Sequence, residues 1–165
     1  MRIGVISDTH GQLDGRVFDR FAGVDLILHA GDLGDDRVLD DLEAIATVHA
    51  VSGNVDGTPV ARRPLTWHGA PGGLTIAMTH GHLLPGRGGD LDAGLRAAFA
   101  HLPAVPRLFV HGHTHKARFE TVAGVSYLNP GAACRPRFGA TDAPGMAIVE
   151  IEPRGGFHVK FIGLD

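Results

Sequence analysis

The chain has one cysteine, no long apolar run and no excess of positive charge, and each of these absences excludes a class of protein. A single cysteine, Cys134, cannot form an intramolecular disulfide, which fits a reducing compartment. No apolar run approaches the roughly 20 residues of a membrane-spanning helix, and the N-terminus shows no signal-peptide pattern. We therefore expect a cytoplasmic protein that has no membrane partner.

The charge balance bears on nucleic-acid binding. The formal net charge is −3 and the sequence pI is about 6.4, whereas a general nucleic-acid surface is basic. The chain also lacks a basic run interleaved with aromatic residues, which is the pattern of single-stranded nucleic-acid binding. These features disfavour nucleic acid as a partner and disfavour a nuclease.

The size and composition are those of one globular domain, residues 1–165. Of these residues, 44% are hydrophobic and 20% are charged, which is ordinary for a domain with a sizeable core. The 24 glycines and 10 prolines predict frequent tight turns.

The first half of the chain alternates apolar segments with segments of helical periodicity. It predicts strands and helices in the order strand 3–7, helix 13–21, strand 25–30, helix 35–46 and strand 47–52. Strand–helix passes of this length predict a parallel sheet with right-handed crossovers.

The second half has shorter elements. Strands are predicted at 65–68, 74–79 and 107–110, with a helix at 91–102 and a flexible loop at 86–89 on the rim of a site. From residue 117 onward, short strands alternate with Gly/Pro turns and predict an antiparallel sheet that closes the fold: 117–122, 125–128, 145–152 and 156–163. The expected architecture is α/β, with two packed sheets and helices outside.

Potential metal ligands follow five of the predicted strands at the point where each strand ends. They are Asp8 and His10, Asp32, Asn54, His80, and His113 with His115. The first pair alone is equally consistent with a helix cap and a surface histidine. Sites in open α/β sheets lie outside the carboxyl ends of the strands, so the recurrence of such residues predicts one shared site.

These motifs resemble those of the calcineurin-like metallophosphoesterases. The matching segments, in the family's order, are Asp8-Thr-His10, Gly31-Asp32, Gly53-Asn54, His80-Gly81 and Gly112-His113-Thr-His115. They cover residues 3–115. The small size and Asn129-Pro-Gly131 are most similar to the compact bacterial and archaeal phosphodiesterase branch. The resemblance implies a four-layer α/β/β/α sandwich of two mixed sheets with helices outside.

The resemblance also implies a role for each ligand. One divalent ion would be held by Asp8, His10 and His115, and a second by Asn54, His80 and His113, with Asp32 bridging the two. Oxygen and nitrogen ligands without thiolate suit manganese, the leading expectation, as well as iron, cobalt, nickel or zinc. The implied activity is hydrolysis of a small phosphoester, foremost a phosphodiester, by in-line attack of hydroxide at the dinuclear site. The residues implied in catalysis are Asp32, Asn54 and His80.

One position departs from the family. Many members have a histidine directly after the Gly-Asn motif, and it protonates the leaving group. Here the position is Val55, which has no proton to donate, while Asp35 occupies the place of that histidine's acidic partner in larger relatives. The departure predicts weak activity on substrates with a strongly basic leaving group.

Several polar residues near the motifs have two interpretations. His82 and His111 either line the site and orient ligands or are structural. His29 lies inside a strand and is interpreted as a hydrogen-bonded core residue.

Arg135 and Arg137 either reach phosphate or are solvated, and the latter is preferred. Asp56 is interpreted as shaping the turn after Asn54, and Cys134 as a small buried side chain rather than a nucleophile.

Two other functions remain open. A eukaryotic trafficking subunit resembles this fold but has degraded metal motifs and serves as an interaction surface. The intact ligand positions of this chain favour an enzyme over such a scaffold, and a nuclease is disfavoured by charge. The sequence is compatible with a homo-oligomer.

Overall fold

The computed structural model describes residues 1–57, 62–84, 90–134 and 145–164. The loop predicted at 86–89, and Arg135 and Arg137, lie outside these ranges. The elements follow one another as β1 (Arg2–Ile6), α1 (Arg16–Arg20), β2 (Leu26–His29), α2 (Arg37–Glu43), β3 (Thr47–Ala50), β4 (Thr66–Gly69), a 3₁₀ turn (Pro71–Gly73), β5 (Ile76–Thr79), α3 (Leu91–Ala98), β6 (Leu108–Val110), β7 (Arg118–Val122), β8 (Val125–Asn129), β9 (Gly145–Ile151) and β10 (Phe157–Gly163).

The strands form two mixed sheets of five strands each. The first sheet has the order β10-β9-β1-β2-β3, in which β1, β2 and β3 are parallel and β9 and β10 are antiparallel. The second has the order β4-β5-β6-β8-β7, in which β5, β6 and β8 are parallel. The antiparallel strands β4 and β7 form the edges of the second sheet.

The expectation that the four late strands form one closing sheet is wrong. β7 and β8 belong to the second sheet, whereas β9 and β10 complete the first sheet beside β1. Alternation of apolar and polar residues predicts that a segment is a strand but does not specify its partner. Beside β1, Ala147 and Val149 of β9 add their side chains to the core between the sheets.

The hydrophobic core lies between the two sheets, and helices cover their outer faces. Inward-facing residues of both sheets form one cluster: Ile3, Val5, Leu26, Leu28, Ile76, Met78, Leu108, Val110, Leu128, Ala147 and Val149. On the outside, Val17 of α1 and Leu42 of α2 pack on the first sheet, and Leu95 of α3 packs on the second. The α/β/β/α sandwich is therefore confirmed. Each fully buried aliphatic side chain contributes roughly 1.5–3 kcal/mol.

The helices are shorter than the apolar periodicity predicted. α1 spans five residues where nine were expected. A turn precedes it, in which the backbone N–H of Arg16 bonds the Asp14 carboxylate, and the helix begins at Arg16. α2 begins in the same way, after the N–H of Arg37 bonds Asp35. Leu13 and Ile45 lie beyond the helix ends and still pack against the core from the adjoining loops. Apolar spacing therefore indicates which residues are buried, and the buried residues continue beyond the ends of each helix.

None of these helices, nor any other helix in the described ranges, has both the length and the apolar character required to cross a membrane.

Candidate metal centre

Backbone hydrogen bonds bring the ends of the strands to one place. The N–H of Asp8 donates to Gly31 O at 3.0 Å and that of His10 to Asp32 O at 3.0 Å, which continues the β1–β2 pairing beyond both strands. The two sheets are joined where His80 Nδ1 donates to Ala30 O at 2.8 Å. The predicted shared site therefore forms at the edge where the carboxyl ends of both sheets meet.

The backbone at this edge is strained. Six non-glycine residues in the described ranges have positive φ, and five of them are predicted ligands: Asp8 (55°), His10 (49°), Asp32 (55°), His113 (67°) and His115 (60°). The left-handed region costs an ordinary residue on the order of 1–2 kcal/mol. Such conformations persist where the surrounding structure imposes them, and they concentrate at functional sites.

Two motif glycines are required by close approach. A Cβ on Gly53 would overlap the carboxylate and backbone N of Asp32. A Cβ on Gly31 would lie 2.7 Å from His80 Cβ, and the φ of Gly31 is +93°. Larger residues at either position would therefore separate the loops that carry the predicted ligands.

One group of ligand atoms consists of Asp8, His10 and His115, all within 4.8 Å of one another. His115 Nε2 lies 3.1 Å from Asp8 Oδ1, and the two histidines face each other with their Nε2 atoms 3.4 Å apart. Asp8 is fully buried, whereas His115 is exposed. The group is therefore open to solvent on the histidine side.

A second group consists of Asp8, Asp32 and His80, also within 4.8 Å, and all of them are buried. His80 Nε2 lies 3.3 Å from Asp32 Oδ1 and 3.2 Å from Asn54 Oδ1. Since Nδ1 of His80 carries the proton given to Ala30 O, a neutral His80 presents the Nε2 lone pair to these two oxygens. Three lone-pair donors that converge in this way suit a cation.

His113 lies at the periphery of this arrangement. Its ring centroid is 5.2 Å from that of His80, and neither 4.8 Å group of the described residues includes it. The ring of His82, the alternative site-lining residue, lies near both, with ring centroids 5.4 Å from His80 and 6.4 Å from His113. The carboxylate common to both groups is Asp8, whereas the resemblance assigned the bridging position to Asp32, and that assignment stays a prediction.

The donor set fits a divalent cation. Asp8 Oδ1 is buried and receives no hydrogen bond, although His115 Nε2 lies 3.1 Å from it. The buried second group also places two carboxylates side by side, and buried like charges are costly without a counter-charge. Carboxylate, imidazole and amide ligands are those that manganese, iron, cobalt, nickel and zinc accept.

Protonation competes with metal binding at these ligands. Burial raises the pKa of Asp32, but hydrogen bonds from His80 and from the Val55 N–H outweigh it, and the pKa falls below its ordinary value. Burial likewise lowers the pKa of His80, but the bond to Asp32 and the nearby carboxylates raise it overall. The Asp8 carboxylate, whose Oδ1 lies 3.1 Å from Nε2 of His115, raises the pKa of His115 against the effect of burial. Each imidazole must lose its proton before it can bind a metal.

His29 supports the site from inside the protein, as expected of a hydrogen-bonded core residue. It is fully buried, and its Nδ1 accepts the N–H of Gly31 at 3.2 Å, so its Nε2 carries the proton. Nε2 donates to Thr9 Oγ1 at 3.0 Å, and that hydroxyl donates to Leu33 O at 3.1 Å. Burial lowers the pKa of His29 to about 4. These hydrogen bonds link the loop after β1 to the loop after β2.

Asp56 shapes the turn after Asn54, as the sequence indicated. Its Oδ1 accepts the N–H of Gly34 at 2.8 Å and its Oδ2 that of Gly53 at 2.7 Å. The same turn directs the N–H of Val55 to Asp32 Oδ1 at 3.0 Å. The Val55 side chain is 48% exposed and brings an apolar surface beside the site.

The loop of residues 111–115 is held by Asn129. Its Nδ2 donates to Gly112 O at 2.8 Å and to Thr114 Oγ1 at 3.0 Å. His111 is buried and donates from Nδ1 to Gly112 O at 3.1 Å. Cys134 is half-buried, and its N–H donates to Asp8 O at 3.2 Å.

Sequence reasoning missed the supporting roles of Ser7, Thr9 and Asn129. The available signal was a hydroxyl residue directly before Asp8 and another between Asp8 and His10, at the end of an otherwise apolar strand. Asn129 belongs to the segment Asn129-Pro-Gly131, whose local pattern does not indicate which loop the side chain bonds.

Comparisons with known proteins show the family and the fold to which this chain is similar. A family model described as the calcineurin-like phosphoesterase superfamily domain matches residues 1–154. A "Probable metallophosphoesterase" of Methanocaldococcus jannaschii is 32% identical over 170 residues, which cover 100% of this chain and 82% of the relative. A "Phosphodiesterase" of the same organism is 25% identical over 173 residues, covering 93% of this chain and 95% of the relative. The crystal structure of Vps29 from Entamoeba histolytica complexed with Zn²⁺ is 22% identical and has a TM-score of 0.78, with 100% of both chains covered.

Proposed function

The chain belongs to the calcineurin-like phosphoesterase superfamily, and on that premise we propose that it is a phosphodiesterase that uses two divalent metal ions. One observation carries the proposal. Two groups of ligand atoms share Asp8 at the carboxyl edge of both sheets, and the buried Oδ1 of that residue has no hydrogen-bond donor. The family membership and the relative named a phosphodiesterase support the same reaction class.

We assign the ligands as follows. His10, His115 and Asp8 hold one ion, and Asn54, His80 and His113 hold the other, with Asp32 between them. Support comes from the 4.8 Å groupings and from Asn54 Oδ1, which lies 3.2 Å from His80 Nε2. We take residues 1–165 to act as one cytoplasmic domain, alone or as a homo-oligomer, and manganese to be the first ion to test.

The ions, when bound, activate water and offset the charge on the phosphoryl oxygens. The chain supplies the positioning. Asp56 and the Val55 N–H hold the Asn54 loop against Asp32, while His29 and Thr9 hold the loops after β1 and β2 together. His80 and His115 act as ligands only after they lose the protons that the neighbouring carboxylates stabilise. Catalysis therefore weakens as the pH falls through the titration of these two histidines.

The substrate class follows from Val55. Its backbone bonds Asp32 and its half-exposed side chain offers no proton to a departing alkoxide. Diesters with a weakly basic leaving group, such as aryl esters, depart without a general acid. We therefore propose activated phosphodiesters as good substrates and alkyl phosphomonoesters as poor ones.

The decisive experiment uses metal-stripped protein. Each divalent ion is added back singly, metal content is measured, and hydrolysis of bis(p-nitrophenyl) phosphate is compared with that of p-nitrophenyl phosphate and an alkyl monoester. Asp8→Asn is the test variant, and Asp40→Asn, an exposed carboxylate of α2, is the matched control. Metal-dependent diester hydrolysis lost in Asp8→Asn but kept in Asp40→Asn supports the proposal, and metal-independent or unaffected turnover contradicts it.

A metal-binding interaction scaffold is the second candidate. The observation that favours it is the likeness in fold to Vps29 over the full length of both chains. That likeness concerns the fold alone. Retention of the added ions by wild-type protein without turnover of any phosphoester in the panel favours the scaffold over the enzyme.

A further inference from the structure

The two oxygens of the Asp8 carboxylate have different surroundings. Oδ2 receives a hydrogen bond of 2.5 Å from Ser7 Oγ and one of 3.2 Å from the His113 N–H. Oδ1 receives none and faces His115 Nε2 at 3.1 Å. One oxygen is therefore engaged by the protein, and the other lies beside His115 without a hydrogen-bond donor.

The donor to Oδ2 is sealed inside the protein. Ser7 and Asp8 are both fully buried at the end of β1. The backbone of Gly112 lies against them, because a Cβ on Gly112 would overlap Ser7 Oγ and lie 2.7 Å from Asp8 Oδ2. Beyond Asp8, the Ser7 hydroxyl has a carbonyl in reach, Gly31 O, at 3.5 Å. The short bond to a carboxylate is the stronger of these two interactions.

We propose that Ser7 is a positioning residue of the metal centre, whose hydroxyl engages Asp8 Oδ2 and so presents Oδ1 to the ions. The inference rests on the proposed metal site. A carboxylate that is free to rotate offers either oxygen, or both, to a metal. Once Oδ2 accepts two hydrogen bonds, one orientation is favoured before any ion arrives. Ser7 thus acts through Asp8 and does not touch the substrate.

The test measures metal binding without turnover. Metal-stripped wild-type and Ser7→Ala proteins are titrated with Co²⁺, and the dissociation constants and visible absorption spectra are recorded. Loss of such an outer partner weakens metal affinity by roughly 10- to 100-fold, so we expect that decrease in Ser7→Ala. We also expect a changed Co²⁺ spectrum, because Asp8 would bind in a different mode.

Ser126→Ala is the matched control. Ser126 is a buried serine of β8 whose hydroxyl forms a 2.8 Å hydrogen bond with Thr121 Oγ1, away from the predicted ligands. Its loss removes a buried hydroxyl hydrogen bond without touching Asp8. We expect wild-type Co²⁺ affinity and spectrum in this variant.

A conservative variant separates positioning from packing. Ser7→Thr keeps the hydroxyl, and we expect its Co²⁺ affinity to return to within a few-fold of wild type. Wild-type affinity and spectrum in Ser7→Ala overturn the inference while leaving the metal site intact. Equal weakening in folded Ser7→Ala and Ser7→Thr also overturns it. Wild-type protein that binds no Co²⁺ overturns the proposed function, and this inference with it.

Discussion

The buried His29 predicts a specific loss of stability in acid. Its pKa in the folded protein is about 4, against an ordinary value of 6.5, because burial disfavours the charged ring. Between these two pH values the unfolded chain binds a proton that the folded chain does not. The contribution of the uncharged His29 to the stability of the folded protein is therefore complete above pH 6.5 and is lost as the pH falls toward about 4.

The size of the effect follows from the difference between the two pKa values. Each pKa unit corresponds to about 1.4 kcal/mol, so His29 accounts for about 3 kcal/mol of the unfolding free energy between pH 6.5 and about 4. Most small domains have an unfolding free energy of only about 5–15 kcal/mol, so the loss is readily measured.

The assay is urea unfolding of metal-stripped protein, followed by circular dichroism at several pH values across this window. Metal removal is needed because protonation of His80 and His115 would otherwise release ions as the pH falls and add a second pH dependence. His29→Gln, which retains a donor for Thr9, is compared with wild type, and His101→Gln serves as an exposed control. We expect a shallower dependence of stability on pH in His29→Gln alone. Parallel losses of stability in wild type and His29→Gln would refute the reasoning.

Further expected outcomes concern the metal centre. Asp32→Asn, as the predicted bridge, should lower diester hydrolysis by more than about 100-fold and more than any other ligand change; a larger loss in Asp8→Asn, with both ions absent by metal analysis, would transfer the bridging role to Asp8. Chelation should abolish turnover and leave far-UV circular dichroism unchanged, because the core between the sheets is independent of the ions; unfolding on chelation would contradict this. Val55→His should raise kcat/KM for poor leaving groups toward the roughly 100- to 10,000-fold contribution of a general acid, and much less for aryl diesters. A wild-type kcat/KM that is insensitive to leaving-group pKa, with chemistry rate-limiting, would show that a proton donor is already present.

Local pattern was sufficient for most of the fold. The continuous apolar run that contains Ile3, Val5 and Ile6 indicates a strand buried on both faces, and this needs no knowledge of the partner strand. The predicted ligands were placed by the same reasoning, since each lies in a loop that follows an apolar strand. The interpretation of His29 as a core residue rested on its place inside such a strand and is confirmed.

Non-local contacts decided the rest. Which sheet receives β9 depends on the pairing of Ala147 with Val5, residues that are far apart in the chain. The orientation of the Asp8 carboxylate is equally non-local, because Ser7 Oγ and the N–H of His113 bond one of its oxygens and leave the other without a donor.

The sequence by itself determined that candidate ligands follow successive apolar strands, because hydrophobic period and residue order are local properties. Only the tertiary structure decided that Asp8, rather than Asp32, is common to both ligand groups, and that the five left-handed ligands are held in strained backbone. Both depend on distances between loops that come together only when the two sheets pack.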